Sequence, residues 1–272
     1  MRRMSWFNVT SLTFGLAFLY LPMLLLIIYS FNESRLVTVW AGFSTKWYGE
    51  LFQNEAFLDA ALVTLKVGFF SATVATVLGT MAAWILVRGG KFFGRTLFSG
   101  MIYAPLVMPE VITGLSLLLL FIAIGMDRGV MTIVLAHTTF SMCYVSVVVS
   151  SRLVAFDKSM EEAALDLGCT PASAFFLVTL PLIAPAVLSG WLLAFTLSLD
   201  DLVIASFAAG PSSTTLPIKI FSSVRLGVTP EINALSTIMI SIVAIGVITT
   251  SLVTKQAIVR AKRDEQKAIQ DG

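Results

Sequence analysis

Long apolar runs, separated by short polar segments, are the main pattern of this 272-residue chain. A bilayer core of about 30 Å needs roughly 20 apolar residues in a helix, so each such run predicts one membrane crossing. The runs are too long for strands, and a helix satisfies its own backbone hydrogen bonds in lipid. The pattern predicts an all-α membrane protein with six transmembrane helices, near residues 12–29, 62–87, 101–124, 130–149, 182–208 and 234–253.

Composition supports this class. Hydrophobic residues make up 57% of the chain and charged residues 12%, against about 45–50% and about 25% in soluble domains. The formal charge of +2 gives no indication of a nucleic-acid partner. The first run follows Met1-Arg2-Arg3 and has no small-residue cleavage site, which favours a retained span over a removed signal peptide.

Basic residues then predict the orientation. With a cytoplasmic N-terminus, 12 of the 18 lysines and arginines fall in inside segments, as the positive-inside rule requires. Both termini are therefore expected in the cytoplasm. The predicted organisation is a cytoplasmic N-terminus at 1–11, a six-span domain at 12–253 and a charged cytoplasmic tail at 254–272.

Small residues recur at every fourth position of the second run, at Ser71, Ala75, Gly79 and Ala83. Such a stripe lets two helices approach closely in lipid. Packing within the chain is the favoured interpretation, and a contact between subunits is the alternative.

A polar island near residues 157–180 interrupts the apolar pattern. Ser159 and Glu162 have the spacing of a capping box, and Gly168 stands where a left-handed residue ends a helix. The apolar positions between them follow helical spacing and predict a stripe on a short helix: Met160, Ala163, Ala164 and Leu167.

A second short helix is predicted directly afterwards. Thr170 is expected at its N-cap and Pro171 at its first position, with Pro181 closing it before the fifth span. An interfacial helix on the lipid surface is the alternative, but such helices favour a basic polar face. The polar face here is acidic, so docking onto a protein is the favoured hypothesis.

The island also contains a spaced motif: Glu-Ala-Ala, three residues, Gly, nine residues, an aliphatic residue, any residue and Leu-Pro. This motif resembles the coupling loop of permease subunits of ATP-binding-cassette importers, with Val178 where isoleucine is commoner. The resemblance implies the type I importer fold and a loop that docks on a partner ATPase subunit. ATP and Mg would be held by that partner, and no cofactor by this chain. The matching residues are Glu162, Ala163, Ala164, Gly168, Val178, Leu180 and Pro181.

Further segments resemble polyamine importers, most closely those of the putrescine type. They are residues 36–42 with 46–50, residues 104–120, residues 198–207 and residues 230–235. This resemblance implies import from periplasm to cytoplasm by alternating access. It also implies a second, homologous permease subunit and a periplasmic polyamine-binding protein.

Three carboxylates are candidates for a substrate passage. Glu110 is expected near the membrane midplane, directly after Pro109 and a predicted helix break; an ionisable residue at that depth usually faces a cavity or a partner. It would meet a substrate ammonium or bind the backbone N–H groups freed by the break, and both hypotheses stay open. Asp200 and Asp201 are expected near the outer interface, where charge is cheaper. They are solvated ends or, as the resemblance implies, part of a substrate passage or of a docking site for the binding protein; acidic residues along a passage lower the barrier to a dication. His137, inside the fourth span, is expected to join helices by a hydrogen bond.

Enzymatic activity is not predicted for the chain. Residues 89–96 resemble a phosphate-binding loop, but that motif needs a strand before it and a helix after it. The segment is interpreted as a basic loop between spans. The rival to an importer subunit is a stand-alone secondary transporter or a channel for a small cation. Secondary transporters are commonly built from internal repeats, and the sequence shows none.

Overall fold

Helices dominate the computed structural model, which describes residues 5–36, 39–227, 229–242 and 244–245. Within these ranges the backbone is helix or loop, apart from an antiparallel bridge between Asn32 and Phe43, so the all-α prediction is confirmed. In chain order the helices are α1 (Trp6–Ser30), α2 (Lys46–Gln53), α3 (Glu55–Arg88), α4 (Arg95–Val107), α5 (Glu110–Ala123), α6 (Val130–Ala155), α7 (Ser159–Asp166), α8 (Pro171–Ala174), α9 (Leu180–Asp200), α10 (Val203–Ala208) and α11 (Leu216–Leu226). A π-helical turn, Phe175–Thr179, joins α8 to α9, and residues 230–242 are helical.

Four of these helical segments are long and apolar enough to cross a membrane. They are α1, α3, α6 and the continuous helix Pro171–Asp200. The pair α4 and α5 passes the same test together but is bent by 116° between its halves. Among the described residues there are therefore up to five spans. The sixth predicted run, 234–253, extends beyond the described residues, and the count of six stays a prediction.

Two predicted runs are each divided into two helices in the structure. The break expected at Pro109 is present, because proline has no N–H to continue the helix. The run 182–208 is not one helix, because α9 ends at Asp200 and α10 begins at Val203. Hydropathy stays high across this break, which is why the apolar pattern alone predicted a single span.

The described chain forms two compact units. The core unit is Ala56–Ser222, and the flanking unit consists of the described residues within 1–55 and 223–272. In the core unit, α3, α6 and α9 share one apolar cluster, which includes Ala75, Val145 and Ile183. A second cluster joins α5, α6 and α10 through Phe121, Ile133 and Ile204.

The small residues of α3 are where α3 meets α6. Ser71, Ala75 and Ala83 are fully buried, and a Cβ atom on Gly79 would lie 2.7 Å from the carbonyl oxygen of Met142. A Cβ atom on Gly190 of α9 would lie 3.2 Å from Val145 Cγ1, the same α6 atom that a Cβ atom on Gly79 would approach at 3.0 Å. The stripe packs inside the chain, as the favoured interpretation predicted.

Asn32 organises the loop between α1 and α2 in the flanking unit. Its side-chain amide donates to the carbonyl of Val39 at 2.8 Å, and its Oδ1 accepts from the N–H of Ala41 at 2.9 Å. Its backbone carbonyl accepts from the indole Nε1 of Trp47 at 2.6 Å. Because Trp47 is buried, these bonds anchor the loop on α2, within the segments that resemble polyamine importers.

Candidate functional site

Two backbone hydrogen bonds at the Gly168 turn end α7. The N–H of Cys169 donates to the carbonyl of Ala164 at 3.0 Å, and the N–H of Gly168 donates to Leu165 at 2.9 Å. This pair defines a Schellman motif. Its left-handed residue is Gly168, with φ +90°, so the predicted helix end is confirmed. Glycine accepts this conformation without the Cβ penalty of other residues.

The start of α7 differs from the predicted capping box. Ser159 is the first residue of the helix and not its N-cap, because the carboxylate of Asp157 accepts its N–H at 3.0 Å. The hydrogen bonds from the backbone and side chain of Ser159 hold the pKa of Asp157 below its usual range. The capping prediction was therefore wrong: Asp157, two residues earlier, binds the free N–H at the helix start.

The second short helix begins as predicted but does not end as predicted. Thr170 Oγ1 accepts the N–H of Ser173 at 3.2 Å, and Pro171 occupies the first turn. Pro181 does not close the helix, which runs on to Asp200. A proline ring clashes with the carbonyl four residues earlier, here that of Leu177. The π turn covers Leu177, and the N–H of Leu180 bonds Phe175 five residues back, which makes room for the ring.

The surface of α7 is mostly open. Ala164 is buried at 8% exposure, whereas Leu167, on the predicted apolar stripe, is 87% exposed. Met160 is also exposed, as are Glu162 and Ala163. Of the predicted stripe, only Ala164 packs on this chain, and Met160, Ala163 and Leu167 do not. This leaves apolar side chains available beside the Glu-Ala-Ala motif.

One acidic residue of α7 points inward, and the sequence analysis missed this role. Glu161 Oε2 lies 3.0 Å from Arg88 Nε at the end of α3, and Glu161 Oε1 accepts the hydroxyl of Thr179 at 2.9 Å. Glu161 belongs to the acidic polar face predicted for this segment, and helical spacing does not show which residue of that face meets a basic partner. The positions of Arg88 and Thr179 carried no local signal for this contact.

The motif residues lie together along one stretch of the core unit. Glu162, Ala163 and Ala164 are on α7, and Gly168 ends that helix. Val178 is in the π turn, while Leu180 and Pro181 begin α9. A helix, a left-handed turn and a widened helix start thus hold all seven residues in one segment.

Glu110 begins α5 at the 116° bend. It is exposed, and within the described residues its carboxylate takes part in no hydrogen bond or ion pair. Helix α5 packs against α10, so closely that a Cβ atom on Gly114 would lie 2.6 Å from Phe207 Cδ2. Glu110 therefore begins α5, and Asp201 lies just before α10, the helix against which α5 packs.

The two adjacent aspartates have different surroundings. Asp200 is exposed at the end of α9, whereas the side chain of Asp201 is 7% exposed. Asp201 Oδ2 accepts the N–H of Ala205 at 2.7 Å, which caps the first turn of α10. The same oxygen lies 3.1 Å from His137 Nε2. The three candidates for a substrate passage thus divide into two exposed carboxylates and one that binds within the chain.

His137 belongs to a chain of hydrogen bonds that crosses three helices. Its Nδ1 lies 2.6 Å from Ser198 Oγ, and Ser71 Oγ donates to Ser198 Oγ at 3.2 Å. A carboxylate only accepts, so we assign the ring proton to Nε2 and let Ser198 donate to Nδ1. The hydrogen bond between helices expected for His137 is confirmed, and its partners on α3 and α9 are now known.

This architecture is that of a known family. The model of the family described as "Binding-protein-dependent transport system inner membrane component" matches residues 75–263, which include the motif, the π turn and α9. The chain belongs to this family and is an inner-membrane permease of the ATP-binding-cassette type.

Individual relatives narrow the similarity further. The chain is 59% identical to the "Putrescine transport system permease protein PotI" of Escherichia coli K12, over 89% of this chain and 88% of the relative. It is 44% identical to the "Spermidine/putrescine transport system permease protein PotC" of Haemophilus influenzae, over 88% of this chain and 93% of the relative.

A solved structure shares the fold. It is a bacterial ABC transporter involved in the import of the acidic polysaccharide alginate, with a TM-score of 0.70 at 16% identity. The match covers 91% of this chain and 94% of that chain. At this identity the likeness shows the fold alone, and it agrees with the type I importer architecture implied by the motif.

Proposed function

We propose that the chain is the transmembrane permease subunit of an ATP-driven importer that carries a polyamine, putrescine first, from periplasm to cytoplasm by alternating access. The observation that carries this proposal is the open surface of α7. A short helix with buried Ala164 and exposed Glu162, Ala163 and Leu167 has one side fixed to the membrane domain and one side free for a partner. The match to the coupling-loop motif supports an ATPase subunit as that partner.

The assembly follows from the same family. ATP and Mg belong to the ATPase subunit, and the chain itself performs no hydrolysis. A second, homologous permease and a periplasmic polyamine-binding protein complete the transporter. A second structure of the alginate ABC transporter, in complex with a "pentasaccharide-bound periplasmic protein", has a TM-score of 0.68 to this chain and supports a periplasmic partner. We further propose that both termini lie in the cytoplasm and that residues 12–253 form the permease domain.

Polyamine transport is supported by the names of the relatives and by the charge of the candidate passage. Putrescine and spermidine are polycations near neutral pH, because alkyl amines titrate near the lysine value. Glu110 and Asp200 present exposed carboxylates at a helix start and a helix end. An acidic lining lowers the barrier for a cation in a low-dielectric passage.

The function is tested by purifying the complex in mild detergent and measuring putrescine uptake in proteoliposomes with and without ATP. Gly168→Val is the variant of interest. Valine in a left-handed conformation costs about 1–2 kcal/mol, which is about tenfold in a docking equilibrium. We expect uptake and co-purified ATPase subunit to fall about tenfold, while the amount of chain in the membrane stays constant.

Gly94→Val is the matched control. Gly94 also has a positive φ, +82°, and open space around it, but it precedes α4 and not α7. Wild-type uptake by Gly168→Val, or equal losses in both variants, would contradict ATPase docking through this turn. Uptake by the purified chain alone without ATP would identify a secondary transporter instead.

A further inference from the structure

We propose that Arg88, Glu161 and Thr179 form a clamp that transmits motion of α7 to the membrane helices, and that these are positioning residues for energy coupling. The proposal rests on the proposed function. It adds a link inside this chain, where the coupling-loop motif specifies only the surface that faces the ATPase.

Arg88 is fixed by several contacts at the end of α3. Its Nε is paired with Glu161, its Nη2 donates to the carbonyl of Phe156 at 3.2 Å, and its guanidinium carbon lies 5.9 Å from the centre of the Phe156 ring. The side chain is only 9% exposed. Arg88 therefore holds the segment that leads into α7 as well as α7 itself.

Glu161 uses both carboxylate oxygens. Arg88 Nε lies 3.0 Å from Oε2 and donates to Oε1 at 3.3 Å, and Oε1 also accepts the hydroxyl of Thr179 at 2.9 Å. Thr179 is 1% exposed and closes the π turn before α9. A single carboxylate, 15% exposed, thus joins the last turn of α3, the first turn of α7 and the start of α9.

Helix α7 also contacts α8 and the π turn. Among the residues of α7, Ala164 alone is buried, and a methyl group supplies little directional restraint. A charged hydrogen bond is both stronger and more directional than a neutral one. A push or pull on α7 therefore reaches α3 and α9 mainly through the carboxylate of Glu161.

The clamp differs from the neighbouring polar groups. Arg95 Nη2 donates to the carbonyl of Leu86 at 2.7 Å, so it also binds the end of α3, but this contact does not reach α7. Glu162 follows Glu161 in sequence and is exposed. The geometry separates an inner acidic residue that binds this chain from an outer one that is free for the partner.

The test is the number of putrescine molecules transported per ATP hydrolysed by the whole complex in proteoliposomes. Glu161→Gln keeps the size of the side chain and removes its charge. Thr179→Val removes one hydroxyl at nearly constant volume. We expect the ratio to fall about tenfold for Glu161→Gln and about threefold for Thr179→Val, with ATPase subunit still bound and ATP still hydrolysed. These factors correspond to the loss of one charged and one neutral hydrogen bond.

Arg95→Gln is the control. It removes a guanidinium that binds the end of α3 but takes no part in the clamp. A wild-type ratio in both clamp variants overturns the proposal, and so does an equal fall in the control. If Glu161→Gln fails to assemble, Thr179→Val and Arg88→Lys decide the question by the same ratio. A wild-type complex without ATP-dependent uptake would overturn the proposed function itself, before any variant is compared.

Discussion

Asp200 and Asp201 show how one peptide bond separates two chemical environments. The carboxylate of Asp201 binds His137 and the first N–H groups of α10, whereas Asp200 is exposed. The difference arises because the helix ends between them: Asp201 has an extended ψ of 123°, which turns its side chain back over the next helix. Asp201 therefore stabilises the break, and Asp200 is the more accessible of the two to a passing cation.

At this scale we predict a stability difference between two alanine variants. Asp201→Ala removes the cap of α10 and leaves a buried imidazole without its partner, at a cost of about 1–3 kcal/mol. Asp200→Ala is expected to stay within about 0.5 kcal/mol of wild type. The apparent unfolding midpoint in detergent, followed by tryptophan fluorescence, measures both. Equal midpoints for the two variants would show that the buried bonds add no net stability.

Local chemistry explains which site residues the sequence predicted. Gly168 and Thr170 act through their own turns, so their roles follow from residue type and spacing. Glu161 and His137 act on partners 73 and 61 residues away. Nothing within a few positions of either residue specifies those partners, because they meet only when the helices pack.

Among the elements, α3, α6 and α9 are held close by glycines. Gly79 of α3 faces the Met142 carbonyl and Val145 of α6, and Gly190 of α9 faces the same Val145 side chain. Helices approach most closely where small residues meet, and van der Waals packing is the main attraction between helices in lipid. The sequence predicted the stripe on α3, but the partner helix became known only from the structure.

We predict opposite effects of two glycine-to-alanine changes. At Gly79 an added methyl group meets the carbonyl of Met142 at 2.7 Å, and such overpacking costs about 1–3 kcal/mol. Gly100 lies in α4 with nothing within 4 Å of an added Cβ, so alanine there gains about 0.5–1 kcal/mol of helix stability. The apparent unfolding midpoint should fall for Gly79→Ala and rise for Gly100→Ala. A rise in both would contradict tight packing of α3 on α6.

Breaks between helices were only partly predictable. Pro109 predicted a break in the helix, but no hydropathy value distinguishes a gentle kink from the observed bend of 116°. At Pro181 the same residue type gave the wrong prediction, since a π turn accommodates its ring. The outcome depends on whether the preceding turn is able to widen, which the surrounding packing decides.

On the scale of the whole molecule, the chain supplies only part of a transporter. Its apolar helices and its family define a permease. Under the proposed function, the open face of α7 would bind a partner and the exposed Glu110 would meet the substrate. The sequence predicted the class of permease, because the apolar composition extends over most of the chain and the coupling-loop motif has a specific spacing. The interior arrangement of the helices was not predictable from those patterns.

The hypothesis that Glu110 lines the substrate passage gives a prediction for transport by the assembled complex. A hydrogen bond to a charged group contributes about 1.5–3 kcal/mol, so losing the carboxylate should reduce putrescine transport about 10–100-fold. We expect this loss for Glu110→Gln and a smaller one for Glu110→Asp, measured as ATP-dependent uptake with assembly checked by co-purification.

Asp127→Asn serves as the comparison, because Asp127 is an exposed acidic residue in the loop that follows α5. Unchanged uptake by Glu110→Gln would mean that Glu110 lies off the route. Equal losses in Glu110→Gln and Asp127→Asn would indicate a general effect of surface charge.

The π turn at Phe175–Thr179 sets a direction as well as a connection. Each residue of an α-helix advances about 100° around its axis, and a π turn holds one residue more than an α-helical turn. If the residues of the π turn were regular α-helix instead, α8 would be rotated by about that angle around the axis of α9. The chain leading back to α7 would be rotated with it. The spacing of nine residues between Gly168 and Val178 therefore affects the direction in which α7 points. In this way the length of the motif specifies which way the proposed docking surface faces.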